Sequence, residues 1–124
     1  MMVLADTSIW IDHFRRGDRQ LAQFLDRGDV VMHPFVVGEL ALGSVTKLTA
    51  MLHDLQNLPK AAVANADEIL KFITQRKLSG SGIGYVDVHL LAAAALVPET
   101  FVWTRDKRLK SIAQSMSLAT DIHE

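Results

Sequence analysis

Along the chain, short apolar runs alternate with longer segments whose apolar positions recur every three or four residues. Val3-Leu4-Ala5 is a short apolar run bounded by turn chemistry and predicts a buried strand. Asp6, Thr7 and Ser8 then offer N-cap side chains for a helix over residues 8–15. In LAQFLDRG, Leu21, Phe24 and Leu25 share one face, which predicts a second helix closed by Gly28. Val30-Val31-Met32 is a second strand, and Pro34 sits where the first turn of a helix accepts proline, ahead of FVVGELALG. Thr46 can cap a helix reaching about Leu55, before Pro59.

Ala61-Ala62-Val63-Ala64 is a weaker third strand. Asn65 with Glu68 three residues on approaches a capping box, opening a helix that continues towards Gly80. After the loop SGSGIG comes GYVDVHLLAAAALV, apolar on every face and therefore destined for the interior. Phe101-Val102-Trp103-Thr104 predicts a strand, Asp106 caps a helix over 107–115, and Leu118-Ala119 is a weak last strand. Strands alternating with helices imply an α/β fold with a parallel sheet covered on both faces, here as one domain over 1–124. Such sheets bind ligands beyond the carboxyl ends of their strands.

Composition narrows the chemistry. Of 124 residues, 49% are hydrophobic and 22% charged, the balance of an ordinary globular domain. There is no cysteine, which excludes disulfides and thiolate metal sites and suits the cytoplasm. The N-terminus MMVLADTSIW lacks the basic leader of a signal peptide, and the apolar runs fall short of the roughly 20 residues a membrane span needs. With 13 basic and 14 acidic residues, the chain has no general field for a polyanion, so a nucleic acid would be held locally or through cations.

Four acids are placed where ligands bind. Asp6 ends the first strand, and Asp106 lies two residues past FVWT. Asp87 lies near the start of the apolar helix that runs back before FVWT, and Glu39 lies in the second turn of the helix after the second strand. Each also has a purely structural reading: Asp6 and Asp106 as caps, Asp87 as a complement to a helix dipole, Glu39 as an exposed side chain. Together they are harder to explain, since two carboxylates about 5 Å apart repel by roughly 3 kcal/mol at an effective dielectric near 20. Oxygen-only ligands suit the hard ions Mg²⁺ or Mn²⁺, which polarise phosphoryl oxygens and acidify a bound water. Gly38 and Gly84, beside two of the acids, allow close backbone approach or serve only packing.

DTSIWID, GELALGS, GYVDVHLLAAAAL and WTRDKRL, in this order and spacing, resemble the four acidic signposts of the PIN-domain ribonucleases. Within that family the chain is most similar to the VapC-type toxins of bacterial toxin–antitoxin pairs. The resemblance implies a three-layer α/β/α fold whose parallel sheet of about five strands has the order 3-2-1-4-5. It also implies a metal-dependent endoribonuclease that leaves 5′-phosphate and 3′-hydroxyl ends, a homodimer, and inhibition by a cognate antitoxin protein. Carried over by position, Asp6, Glu39, Asp87 and Asp106 are the catalytic and metal-binding set, with Asp6 and Asp87 as principal anchors and Thr104 and Ser8 as polar support.

The remaining candidates are weaker. His89 follows Asp87 by two residues, about 200° around a helix, so it is expected to pack elsewhere or to meet a partner. His13, His33, His53 and His123 lack metal-ligand spacing, and a zinc site is not expected. Arg105, Lys107 and Arg108 either hold RNA phosphates or form a solvated helix start. Trp10 and Trp103 read as core or interface residues. Apolar side chains near Phe14, Phe24, Leu48 and Met51 either seat an antitoxin helix or a second copy, or belong to the core. Two other function classes place themselves on the same scaffold. A phosphoacceptor signalling domain would want an acid after the third strand, where Asp67 comes late, and a lysine near the last strand, where 117–124 has none. A catalytically silent binding module would have no need of all four acids.

Overall fold

The computed structural model of the chain describes residues 1–122, so His123 lies outside the described residues. Two strands and seven helices follow one another: β1 (Met2–Ala5), α1 (Thr7–Arg16), α2 (Arg19–Asp26), α3 (Pro34–Leu42), α4 (Leu48–Gln56), α5 (Ala66–Gln75), α6 (Tyr85–Leu96), β2 (Thr100–Trp103) and α7 (Lys107–Ser115). The chain is mixed α/β as expected, but six helices in succession separate the two strands, where strands alternating with helices were expected.

β1 and β2 pair in parallel, Met2 opposite Thr100 through Ala5 opposite Trp103. One more bond continues the ladder, from the Asp6 N–H to the Trp103 carbonyl at 3.0 Å. On the far side of β1, Val3 forms a parallel bridge with Val30, and Met32 forms one with Lys60; beyond β2, Val102 bridges Ala119. The expected second, third and last strands are thus reduced to single bridges among the described residues. The third also meets the sheet earlier than expected, at Lys60, with the Met32 N–H bonding the Pro59 carbonyl at 2.8 Å and the Ala61 N–H bonding the Met32 carbonyl at 3.0 Å. Three alanines in 61–64 offer little β-branched surface to extend that pairing. The FVWT strand lies one residue earlier than expected, because Thr104 leaves the ladder and turns its hydroxyl to Asp6.

Helix starts follow the capping chemistry in the sequence. Asp6, Asp18, Asn65 and Asp106 each accept a hydrogen bond from a backbone N–H in the first turn of the helix that follows. Asn65 and Glu68 form a complete capping box, with bonds of 2.8 and 2.9 Å. Two boundaries differ from expectation. Thr46 does not cap α4, which begins at Leu48 after an uncapped Lys47. α5 stops at Gln75, well short of Gly80, where the chain turns through Lys77 with φ of 55°. Gly28, at φ of 72°, follows the end of α2 as expected, with Arg27 as the C-cap.

The core explains the apolar runs. Val3, Leu4, Ala5, Val102 and Trp103 are buried in the strands, and Ile9, Trp10, Leu21, Val36, Leu40 and Leu109 pack with them from the helices. α6 is buried without a break from Val88 to Ala94. It serves two clusters, since Leu90, Leu91, Ala93 and Ala94 join the sheet core. Val88 and Ala92 instead pack with Ala64, Ile69 and Leu78 beneath α5. Both tryptophans lie in the core, as expected. Among the described residues, no helix is long and apolar enough to cross a membrane.

The capping box gives a direct check on this reading of α5. Asn65→Ala removes an exposed cap without touching the core, and should cost about 1 kcal/mol. A urea unfolding midpoint would record that loss; an unchanged midpoint would mean the box contributes nothing to holding α5.

Candidate acidic site

The carboxyl ends of β1 and β2 deliver Asp6 and Thr104 to one place. Asp6 is buried, with 6% of its surface exposed, and both of its oxygens are engaged. Oδ1 accepts from the Ser8 hydroxyl at 2.7 Å and from the Ile9 N–H at 3.1 Å. Oδ2 accepts the Thr104 hydroxyl. Thr104 in turn accepts the Asp106 N–H at 3.0 Å, so one hydroxyl links the two acids. Asp106 lies at the exposed start of α7 and caps it through Oδ1 to the Leu109 N–H at 2.9 Å. The cap readings of Asp6 and Asp106 are therefore true, and they coexist with membership of an acidic group. Ser8 and Thr104, carried over as supports, both bond Asp6 directly.

Asp87 occupies the first turn of α6 and is half-buried. Its carboxyl is pushed up to about 6, first by burial and next by the charge of Asp6, with smaller contributions from Asp106 and Glu39. A backbone hydrogen bond from Gly84 opposes that shift. Three carboxylates far from it in sequence, Asp6, Asp106 and Glu39, thus act on Asp87 electrostatically. Glu39 is exposed on α3 and accepts the Thr7 hydroxyl at 2.5 Å, which ties α3 to the start of α1. Thr7 had been read only as a cap candidate; no local pattern marks a contact across 32 residues.

The donor set suits a hard divalent cation in charge and in element, being carboxylate and hydroxyl oxygens throughout. Its side chains do not form a closed shell as they stand. Among the described residues, no group of three or more His, Cys, Asp or Glu side chains is placed to hold an ion. The acids spend oxygens on helix N–H groups and hydroxyls instead, which offsets part of their mutual repulsion. Glu39 would have to leave Thr7 to join a common ligand.

The PIN domain family model matches residues 3–115. Ribonuclease VapC32 of Mycobacterium tuberculosis is 42% identical over 118 residues, covering 95% of this chain and 95% of that protein, in strain CDC 1551 / Oshkosh and equally in strain ATCC 25618 / H37Rv. The chain belongs to the PIN-domain family, among its VapC-type ribonucleases. All four acids fall inside the span matched as a PIN domain. The family's nucleases use divalent metal ions, in keeping with the oxygen donors gathered here.

Several side chains near this PIN-domain site behave differently from expectation. Arg105 pairs with two other acids. Its guanidinium bonds Asp12 and Asp18, each at 2.7 Å, and lies 5.7 Å from the centre of the Trp103 ring, clamping α1 and the start of α2 to the end of β2. Lys107 and Arg108 remain exposed at the start of α7. Arg108 packs on Gly82, whose φ is 86° and where a Cβ would meet the guanidinium at 2.4 Å. Gly38 makes no close approach, as a Cβ there would meet nothing within 4 Å, whereas one on Gly84 would lie 3.9 Å from an Asp87 oxygen. Phe24 packs edge-on to Trp103 and so belongs to the core, while Phe14 and Leu48 are exposed.

The titrations of the site give opposite pH dependences that can be separated. Asp87 keeps a proton in the folded chain that the unfolded chain has lost between about pH 4 and 6, so its contribution to stability is full below pH 4 and is lost as pH rises through 6. His33 runs the other way. Burial, then the neighbouring His89, lowers it to about 4, so its contribution is present above about pH 6.5 and is lost as pH falls towards 4. In excess chelator, Asp87→Asn should match the wild type near pH 4 and exceed it at pH 7.5. Urea midpoints across that range check this, and parallel curves for the two proteins would contradict it.

Proposed function

We propose that this VapC-type PIN domain is a metal-dependent endoribonuclease, the toxin of a toxin–antitoxin pair, hydrolysing RNA phosphodiester bonds at the Asp6–Glu39–Asp87–Asp106 notch. The observation that carries this reading is the raised carboxyl of Asp87, pushed up first by burial and then by the charges of Asp6, Asp106 and Glu39, which bring the three other acids to bear on it. Arg105, adjacent to Asp106 in sequence, pairs with Asp12 and Asp18.

A bound Mg²⁺ or Mn²⁺ supplies Lewis acidity at the phosphoryl oxygen and lowers the pKa of an attacking water. Asp6 and Asp87 would be its principal anchors. Asp6 is pre-set by Ser8, the Ile9 N–H and Thr104, so its orientation costs little on binding. Glu39 and Asp106, both exposed, complete the set or hold the attacking water. Lys107 and Arg108, one and two residues beyond Asp106, hold flanking RNA phosphates. Products carry 5′-phosphate and 3′-hydroxyl ends.

The rest of the reading concerns the frame and the partners. The three single bridges flanking the β1–β2 pair support a five-stranded parallel sheet in the order 3-2-1-4-5, within a three-layer α/β/α domain spanning 1–124. The chain works in the cytoplasm as a homodimer. A cognate antitoxin seats a helix in the groove of about 440 Å³ between α1 and α4, lined by Phe14, Val45, Ala50, Met51 and Leu55. An antitoxin arginine reaching the notch would pair with the carboxylates.

Asp6→Asn and Asp87→Asn each keep the shape of the side chain and, in Asp6, a carbonyl oxygen for the α1 cap. Each should lower RNA cleavage by about 10²-fold or more, the scale of losing one pre-organised electrostatic group, with unfolding still cooperative. Cleavage of a defined RNA by purified protein, with Mg²⁺ or Mn²⁺ and then with excess chelator, is the measurement. Full activity in chelator, or in Asp87→Asn, would overturn the proposal.

A further inference from the structure

Between the acidic notch and the groove beside α4 lies a second, smaller hollow of about 190 Å³. Ile11, Phe14 and Arg15 line it from α1, at the i, i+3 and i+4 spacing that puts three side chains on one helix face. Glu39 and Leu40 line it from α3, and Val45 from the connection to α4. The Thr7 hydroxyl, at the start of α1, bonds Glu39 and so ties the two helices together at this point. Phe14, Arg15 and Val45 also line the larger groove, so the two hollows adjoin.

The lining selects its occupant. Ile11 is 36% and Phe14 49% exposed, a large apolar surface to leave in water beside a set of carboxylates. Arg15 is exposed as well, and among the described residues it forms no salt bridge. One acid and one cation in the lining cancel, which suits an uncharged polar ring better than a phosphate. An aliphatic side chain from a protein partner would cover both charges and bond neither. A nucleobase offers a flat face to Phe14 and edge acceptors to the Arg15 guanidinium, two of the contacts by which single-stranded RNA is read. The volume lies below the roughly 300–1,000 Å³ of sites for drug-sized ligands, and suits one base with its sugar and phosphate outside. Because Glu39 belongs to both the hollow and the notch, a base held here sits on a nucleotide beside the bond that is cut.

We infer that this hollow is a nucleobase subsite, in which Phe14 stacks on an unpaired base next to the scissile phosphate and Arg15 bonds its edge. Phe14 and Arg15 are then substrate-binding residues, and base preference at that nucleotide is set by them. The inference rests on the notch being where RNA is cut, but its first readout needs no cleavage.

That readout is binding. Single-stranded RNA oligomers carrying the fluorescent base 2-aminopurine at successive positions are titrated to saturation with wild-type protein in excess chelator. Stacking on Phe14 should quench one position. Phe14→Leu keeps an apolar side chain and should abolish the quenching, while Phe14→Trp retains it. No quenching by the wild type, or equal quenching by Phe14→Leu, overturns the inference. The second readout is cleavage. An abasic nucleotide at the quenched position keeps the backbone and should lower kcat/KM about tenfold, within the range for one stacked base. Phe14→Leu should lower kcat/KM on intact RNA by a similar factor and lose little more on abasic RNA, a non-additivity that a purely structural role would not produce. Arg15→Gln should narrow the differences among the four bases at that position. Abasic RNA cut as fast as intact RNA overturns the inference, as do additive losses. If Phe14→Leu weakens antitoxin binding and leaves both readouts unchanged, the hollow belongs to the partner groove instead. RNA that is quenched as expected but never cut sinks the nuclease reading and leaves the base subsite standing.

Discussion

Negative charge gathered at the carboxyl ends of β1 and β2 is the constraint around which this end of the molecule is arranged. Asp6 cannot move away from it, because its backbone N–H extends the ladder to Trp103 and its side chain is buried. Asp87 enters the same region on α6, a helix whose next turns are wholly buried and offer no route to solvent. Bringing such groups together is unfavourable unless polar partners share the load. The partners here are helix N–H groups and hydroxyls. Asp6 and Asp106 spend one oxygen each on the first turns of α1 and α7, where the helix dipole also favours negative charge. The fold thus holds a negative notch by treating part of it as capping.

The same logic explains where the nearby cation goes. An arginine beside Asp106 in sequence would be the natural neutraliser of the notch. Arg105 instead points to Asp12 and Asp18, and its planar face lies on Trp103. Its two terminal nitrogens reach two separate carboxylates, one bond to each, which the planar fork of a guanidinium allows. The clamp joins the end of β2 to α1 and α2. Lys107 and Arg108, on the first turn of α7, stay exposed, with Arg108 resting on the backbone at Gly82, where any larger residue would displace it.

Much of this was legible in the chain. The caps at Asp6 and Asp106, the Asn65–Glu68 box, the buried α6 and the parallel pairing of β1 with a strand near Trp103 follow from local pattern and from the edge rule for parallel sheets. What escaped was set by contacts between distant residues. The weak strands shrink to single bridges because pairing depends on a neighbour's register, which no short run encodes. Thr46 looks like a cap, but α4 starts two residues later without one. Arg105 reads locally as an RNA contact because Asp12 and Asp18 lie some ninety residues away in sequence. His33 gave a faint signal, since a residue before proline at a helix start is a cap position. Histidine is not among the usual capping residues, and its ring had to be seen in place.

Thr104 shows how little chemistry is needed to couple two acids. Its hydroxyl has one proton to give and lone pairs to receive. Because the Asp106 N–H can only donate, it takes a lone pair, and the hydroxyl proton is left to Asp6. Direction along the chain of bonds is therefore fixed: Asp106 backbone to Thr104, Thr104 to Asp6. Each member needs the next to accept. It also explains why the strand ends at Trp103. A residue still in the ladder could not turn its hydroxyl back across the sheet edge, so shortening β2 by one residue is what brings Thr104 within reach of Asp6 and lets the two strand ends share one charge.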